Sequence, residues 1–210
     1  MENLLKKELN KLKLDSSLIN SFIEAVSEGL NNNGIEICLN TLKSFSSSST
    51  SKIIINSIIK ETPLILRSIP QSQYLEWVKQ CYRISEVSED LAITYVDATS
   101  GVIDNIKPRH LLDWGNIGLS LYRSSKNSTS LVNNFFKYSP SLSLKLDYEE
   151  LEILNDTLKR ISTRSISFSI KILDWVLKIS SKAPNDLIPW NRVINLVSKK
   201  LIKDFEEIFT

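Results

Sequence analysis

The sequence predicts an all-α protein: an α-solenoid of about four stacked helical hairpins, HEAT- or TPR-like, with about eleven helices. Three observations lead there. Apolar residues recur at three-and-four spacing along almost the whole chain. Only 5 Gly and 6 Pro occur in 210 residues, too little turn punctuation for a sandwich or barrel of many short strands. Tryptophans return at a near-constant interval with a second marker in phase.

The elements follow in chain order. Residues 1–33 read as N-terminal helices. Leu18, Ile19, Phe22, Ile23, Val26 and Leu30 share one helical face. Asp15 or Ser16 caps its start, and Asn31-Asn32-Asn33-Gly34 ends it, with Gly34 left-handed. The serine run from Phe45 to Ser51 reads as a polar turn that caps the next helix, in preference to a modification tract or a flexible linker. The β-branched run Ile53 to Ile59 could form a strand, but its helical context favours a buried helix. Leu75, Val78, Cys81 and Tyr82 make a further stripe, as do Leu111, Leu112, Trp114, Ile117 and Leu121 behind Pro108. Asp147 and Glu150 have capping-box spacing ahead of Leu151, Leu154, Leu158 and Ile161. From Trp190 onward, Val193, Ile194, Val197, Leu201, Ile202, Phe205 and Ile208 form one stripe, read as a last helix over 186–208.

The interval gives the domain organisation. Trp77, Trp114 and Trp190 sit in similar settings, 37 and 76 residues apart. Halving the longer step places Ile153 where the missing tryptophan would fall. Thr62-Pro63, Ser139-Pro140 and Ala183-Pro184 run in phase, with Thr99-Ser100 in the unit that lacks proline. A proline there is expected to stop the second helix of each unit. The candidate units are 35–68, 70–104, 108–143 and 147–184 within a single helical-repeat domain, 1–210. Trp77, Trp114, Ile153 and Trp190 are the expected repeat core. Gly115 and Gly118 would let a neighbouring helix approach closely.

Composition excludes more than it assigns. Lys+Arg is 26 against Asp+Glu 24, a net charge of +2 that gives no strong pull toward nucleic acid or membrane. The apolar runs are far shorter than the ~20 residues of a membrane span, and no signal-peptide core precedes them; the expected location is cytoplasmic. Richness in Ile, Lys, Asn and Ser fits an AT-rich genome. Cys38 and Cys81 read as buried thiols in a reducing compartment, with a disulfide or reactive pair as the alternative.

Catalytic patterns are absent: no phosphate loop, nucleophile elbow or matched set of metal ligands occurs. The single histidine, His110, could act as a general base beside Asp113, but reads better as an exposed residue of a first helical turn. Glu149 and Glu150 read as first-turn acids favoured by the helix dipole. No catalytic, cofactor or metal residue is therefore assigned, and no cofactor is expected.

Trp114 to Pro140, with Trp-Gly-x-x-Gly-Leu-Ser-Leu-Tyr and then Phe135-Phe136-Lys137-Tyr138-Ser139-Pro140, resembles a bacterial helical repeat. That repeat lies upstream of the von Willebrand factor A domain in nitric-oxide-reductase and Rubisco activation-type proteins. The resemblance implies work with a MoxR-type AAA+ ATPase in metalloenzyme maturation. Trp77 lacks the following glycine and Ile153 the tryptophan, and no metal-ion-dependent adhesion motif occurs, so no functional residue carries over.

The function expected is a non-catalytic scaffold that binds protein, with a MoxR-type ATPase or a von Willebrand factor A domain protein as candidate partner. One alternative is a nucleic-acid-binding helical repeat, similar to DNA alkylation-repair glycosylases. Trp114 and Asp113 would then form a base pocket, and the terminal lysines Lys6, Lys7, Lys11, Lys13, Lys199, Lys200 and Lys203 would contact phosphate. Interleaved acids dilute those lysines. An enzyme of unrecognised type is the other alternative. At the C-terminal end, Leu201, Phe205 and Ile208 are the candidate interface, with Trp190 to Val197 packed inward on the preceding hairpin.

Overall fold

The computed structural model describes residues 2–11, 15–45 and 49–200. It is all-helical: eleven α-helices and two short 3₁₀ turns, with no strand among the described residues. The helices fall into two compact units, Met1–Asp104 and Asn105–Thr210.

The first unit holds α1 (Glu2–Asn10), α2 (Ser16–Gly29), α3 (Asn32–Ser44), α4 (Ser49–Ser68), α5 (Gln71–Ser85) and α6 (Glu89–Ile103). Alternate helices pack side by side: α2 on α4, α4 on α6, and α3 on α5. Ile54, Ile55, Ile58 and Ile59 are buried within α4, so the isoleucine run is a helix buried on one face. Ser46–Ser48 lie outside the described residues. Ser51 is buried, and its Oγ donates to Glu89 Oε1 at 2.7 Å.

Asp15 caps α2 as expected, its carboxylate accepting from the Ser17 and Leu18 amides. The asparagine cluster departs from expectation. Asn31 is the N-cap of α3, accepting from Gly34 N at 2.8 Å, and Gly34 lies inside that helix. No described glycine has a positive φ. The chain turns at Leu30, which is extended, and the asparagine side chain satisfies one of the orphan amides of α3, that of Gly34. A methyl on Gly34 would meet Gln71 Nε2 at 2.8 Å.

The second unit holds α7 (Leu111–Ser124), α8 (Thr129–Ser143), α9 (Tyr148–Ser162), α10 (Ile166–Lys182) and α11 (Leu187–Lys200). Pro108–His110 and Pro184–Asp186 are 3₁₀ turns that open α7 and α11. Here α7 packs on α9, α9 on α11, and α8 on α10. Ser128, Asp147 and Ser165 cap α8, α9 and α10 by accepting the amide three residues on.

The prolines correct the expected helix ends. Pro63 and Pro140 lie inside α4 and α8, which run on to Ser68 and Ser143. Each proline deletes one intrahelical bond. The hydroxyl before it bonds back to its own turn: Thr62 Oγ1 to Ile58 O and Ser139 Oγ to Phe135 O, both 2.7 Å. Close to the helix end, little remains of the ladder to lose. Pro184 is different, since it follows the end of α10.

Candidate functional site

The surface that stands out is the end of the second unit, formed by α10 and α11. An α-helix advances about 100° per residue, which lets the two faces of α11 be compared. Leu187, Asn191, Ile194, Asn195 and Ser198 are buried. Trp190, Val193 and Leu196, on the opposite side, are 39%, 47% and 56% exposed. The helix is turned inside out: most of its buried positions are polar, and most of its outward positions are apolar.

The buried side is held by a seam of hydrogen bonds to α9. Asn191 Nδ2 donates to Glu150 O at 2.8 Å and to Glu150 Oε2 at 2.9 Å. Arg192 Nε and Nη2 both reach Glu150 Oε1 at 2.6 Å. Asn195 Nδ2 donates to Ile153 O at 3.1 Å and to Thr157 Oγ1 at 3.0 Å, and Arg160 Nε donates to Ser198 Oγ at 3.2 Å. Buried polar groups are tolerated when so paired; Asn191 Oδ1 and Arg160 Nη2 are the seam atoms left without a hydrogen-bond partner. Glu150 is therefore more than a first-turn acid: it is buried and clamps α11, while the Asp147 half of the capping box holds at 3.0 Å.

The outward side continues onto α10. Trp190 meets Trp175 edge-to-face, ring centroids 5.5 Å apart. Trp175 also lines a cleft of about 230 Å³ with Phe168, Lys171, Ile172, Asp174 and Lys178. Asp174 accepts from Tyr138 OH at 2.9 Å, and that bond to a carboxylate holds the phenol's pKa above its usual value. Scattered exposed apolar residues are ordinary, whereas a contiguous apolar face marks an interface.

The expected repeat-core residues separate into two groups. Trp77 and Trp114 are fully buried, and each indole N–H meets a hydroxyl of the next helix: Thr99 Oγ1 at 3.2 Å and Ser139 Oγ at 3.0 Å. The two sequence markers are thus two ends of one hydrogen bond. Ile153 is half-buried, and the adjacent Leu154 is the fully buried residue. Trp190 faces outward with Val193, so its expected place in the repeat core is overturned, while the stretch itself does pack on α9 of the preceding hairpin through its other side; among the described residues of its stripe, Ile194 alone is fully buried. Asn and Ser took the inward positions. Leu201, Phe205 and Ile208 lie outside the described residues. Gly118 lies against the Phe136 ring of α8, the close approach that its sequence position implies.

His110 is not an exposed first-turn residue. Its side chain is 21% exposed and stacks on Tyr148, centroids 4.3 Å apart and planes 6° from parallel. Arg109 Nε donates to its Nε2 at 3.1 Å, and Nδ1 lies 3.6 Å from Asp113 Oδ2, beyond hydrogen-bond length. Burial, with Glu152 and Asp113 adding to it, pushes the Tyr148 phenol up to about 12. Among the described residues, no group of three His, Cys, Asp or Glu could hold a metal. Trp114, enclosed by α8, has no face to offer a base. Cys38 and Cys81 are free and buried, and burial pushes the Cys38 thiol up to about 11.

The seam was legible in part: Asn191, Asn195 and Ser198 recur at i, i+4 and i+7, the spacing of one helical face. No helix among the described residues is long and apolar enough to cross a membrane. No family model, curated protein or solved structure matches the chain.

Proposed function

We propose that this protein is a non-catalytic scaffold of stacked helical hairpins, a solenoid, that binds a protein partner through the α10–α11 end. The observation that carries this is the outward apolar face of α11. Its support is a comparison of burial along the first helices of the hairpins. Trp77, Gln80 and Ile84 are buried in α5; so are Trp114, Ile117 and Leu121 in α7, and Leu154, Thr157 and Ile161 in α9. The same register in α11 gives Trp190, Val193 and Val197, all apolar and none buried. Second helices follow the same pattern through Thr62, Thr99, Ser139 and Val176, all buried. Each hairpin of such an array covers the one before it, so α11 carries a surface suited to a further helix.

The resemblance of Trp114–Pro140 nominates a MoxR-type AAA+ ATPase, or a von Willebrand factor A domain protein of that system, as the first partner to test. The nucleic-acid reading loses its base pocket to the burial of Trp114. A photo-crosslinking amino acid at Val193, introduced in cells, tests the scaffold reading. It should trap a protein in a product that is lost when Leu196→Asp is added, and the same probe at the exposed Leu144 should trap none. Equal trapping at both positions, or trapping of nucleic acid, would refute it.

A further inference from the structure

We infer that the occupant of the α10–α11 surface is an acidic amphipathic helix of a partner protein. The inference rests on the scaffold reading above and adds the chemistry of the partner. Two observations carry it. The first is shape: Trp190 on the outward side of α11 meets Trp175, which lines the 230 Å³ cleft along α10 with Phe168 and Ile172, so a strip of apolar surface passes from one helix to the other. A third helix laid into it would repeat the way the earlier helices pack, with apolar anchors at i, i+3, i+4 and i+7.

The second observation is charge. Lys171, Trp175, Lys178 and Lys182 fall at i, i+4, i+7 and i+11, one stripe of α10, and the three lysines are exposed. Lys199 is exposed on α11. Arg192 is paired with Glu150, while Asp174, which accepts from the neutral Tyr138 phenol, is the one negative charge against Lys171 and Lys178 in the cleft lining. Helix α11 contains no acid, and Asp186 is the sole acid from Trp175 to Lys203. The chain as a whole is nearly balanced at +2, so this rim is locally basic around an apolar centre. A helix with an apolar stripe and flanking Glu or Asp matches both features, and long-range attraction would steer it onto the strip. A second copy of the chain would bring lysines against lysines. Residues 201–210, with Asp204, Glu206 and Glu207, are the competing occupant from this chain itself.

The test uses the full chain and a labelled peptide about four turns long, with a Leu stripe flanked by Glu, against the same peptide with Lys for Glu. Fluorescence anisotropy reads the affinity at low and high salt. The Glu peptide should bind at least about tenfold more tightly than the Lys peptide, with the margin shrinking as salt screens the rim. Lys171→Glu/Lys178→Glu should erase or reverse that preference. Val193→Asp/Leu196→Asp, at exposed positions, should abolish binding while leaving the melting temperature unchanged.

Failure of the Glu peptide to bind, or equal binding of both peptides, overturns the acidic-helix inference; the Val193 crosslink judges the scaffold reading separately. Binding that appears only in a Leu201→Asp/Phe205→Asp variant overturns it in favour of the chain's own last residues. A dimer in sedimentation that Val193→Asp/Leu196→Asp dissociates overturns it in favour of a second copy.

Discussion

Replacing Gly118 by alanine sets two well-known effects against each other, and the sign of the result decides between them. In an open helix Gly→Ala stabilises by about 1 kcal/mol, because the glycine backbone loses more freedom on folding. Gly118 is not open. A methyl there would overlap Cζ and Cε1 of Phe136 and come within 2.9 Å of Cε2. The ring cannot simply swing aside: Trp114 meets it edge-on at 5.2 Å, Phe135 stands 5.8 Å away, and Trp114 is tied to Ser139. Overpacking of this kind costs about 1–3 kcal/mol, and a direct overlap belongs at the upper end. Set against the helix gain, Gly118→Ala should destabilise by about 1–2 kcal/mol. Urea unfolding followed by far-UV circular dichroism gives the midpoint. In a Phe136→Leu background the alanine should recover at least about 1 kcal/mol, since contacting residues couple. A rise in the midpoint on Gly118→Ala alone would refute the packing argument.

Ser139→Ala leaves the Trp114 indole N–H buried without its acceptor and should cost about 1–2 kcal/mol, whereas Trp114→Ala should cost about 3–5 kcal/mol, both by urea midpoint. Tyr148 stays protonated in the folded protein up to about pH 12, so folding favours the neutral phenol. Its contribution is fully present below the unfolded value of about 10 and is lost as pH rises through that window. Tyr148→Phe should flatten the fall of melting temperature on the alkaline side, and an unchanged slope would contradict the burial of the phenol. The burial of Cys38 and Cys81 predicts no reaction with a thiol reagent at pH 8 in the native protein and two thiols released in denaturant. Rapid native labelling of either would place it in an accessible setting.

The sequence legibility of this fold follows the hydrophobic effect. Where apolar residues face inward, periodicity read the helices correctly, including the isoleucine run that could have been a strand. Trp77 and Trp114 were readable as core because a large aromatic on an otherwise apolar stripe has few other places to go. The same rule failed at Trp190. It assumes that the apolar face is the buried one, and in α11 the seam of Asn191, Asn195, Ser198 and Glu150 reverses that assignment. Ile153 was placed by halving an interval, but successive steps need not be equal: burial puts Leu154 there, 40 residues after Trp114 and 36 before Trp190. Asn31 was read as ending one helix when it begins the next, because asparagine serves both ends and only the bond to Gly34 N distinguishes them. His110 stacks on a residue of another helix, which no local pattern can reveal.

A seam made of hydrogen bonds differs in kind from one made of methyl groups. Apolar contacts are non-directional, so they fix a helix's rotation only through the fit of their shapes. The bonds from Asn191 to Glu150 and from Asn195 to Thr157 hold only at one setting of the helix about its axis, like a key in a slot. A roll of one residue's angle would strip several buried donors of their acceptors together, each at about 1–3 kcal/mol. The direction in which Trp190, Val193 and Leu196 point is thus set from behind, by polar groups that never touch what those three residues meet.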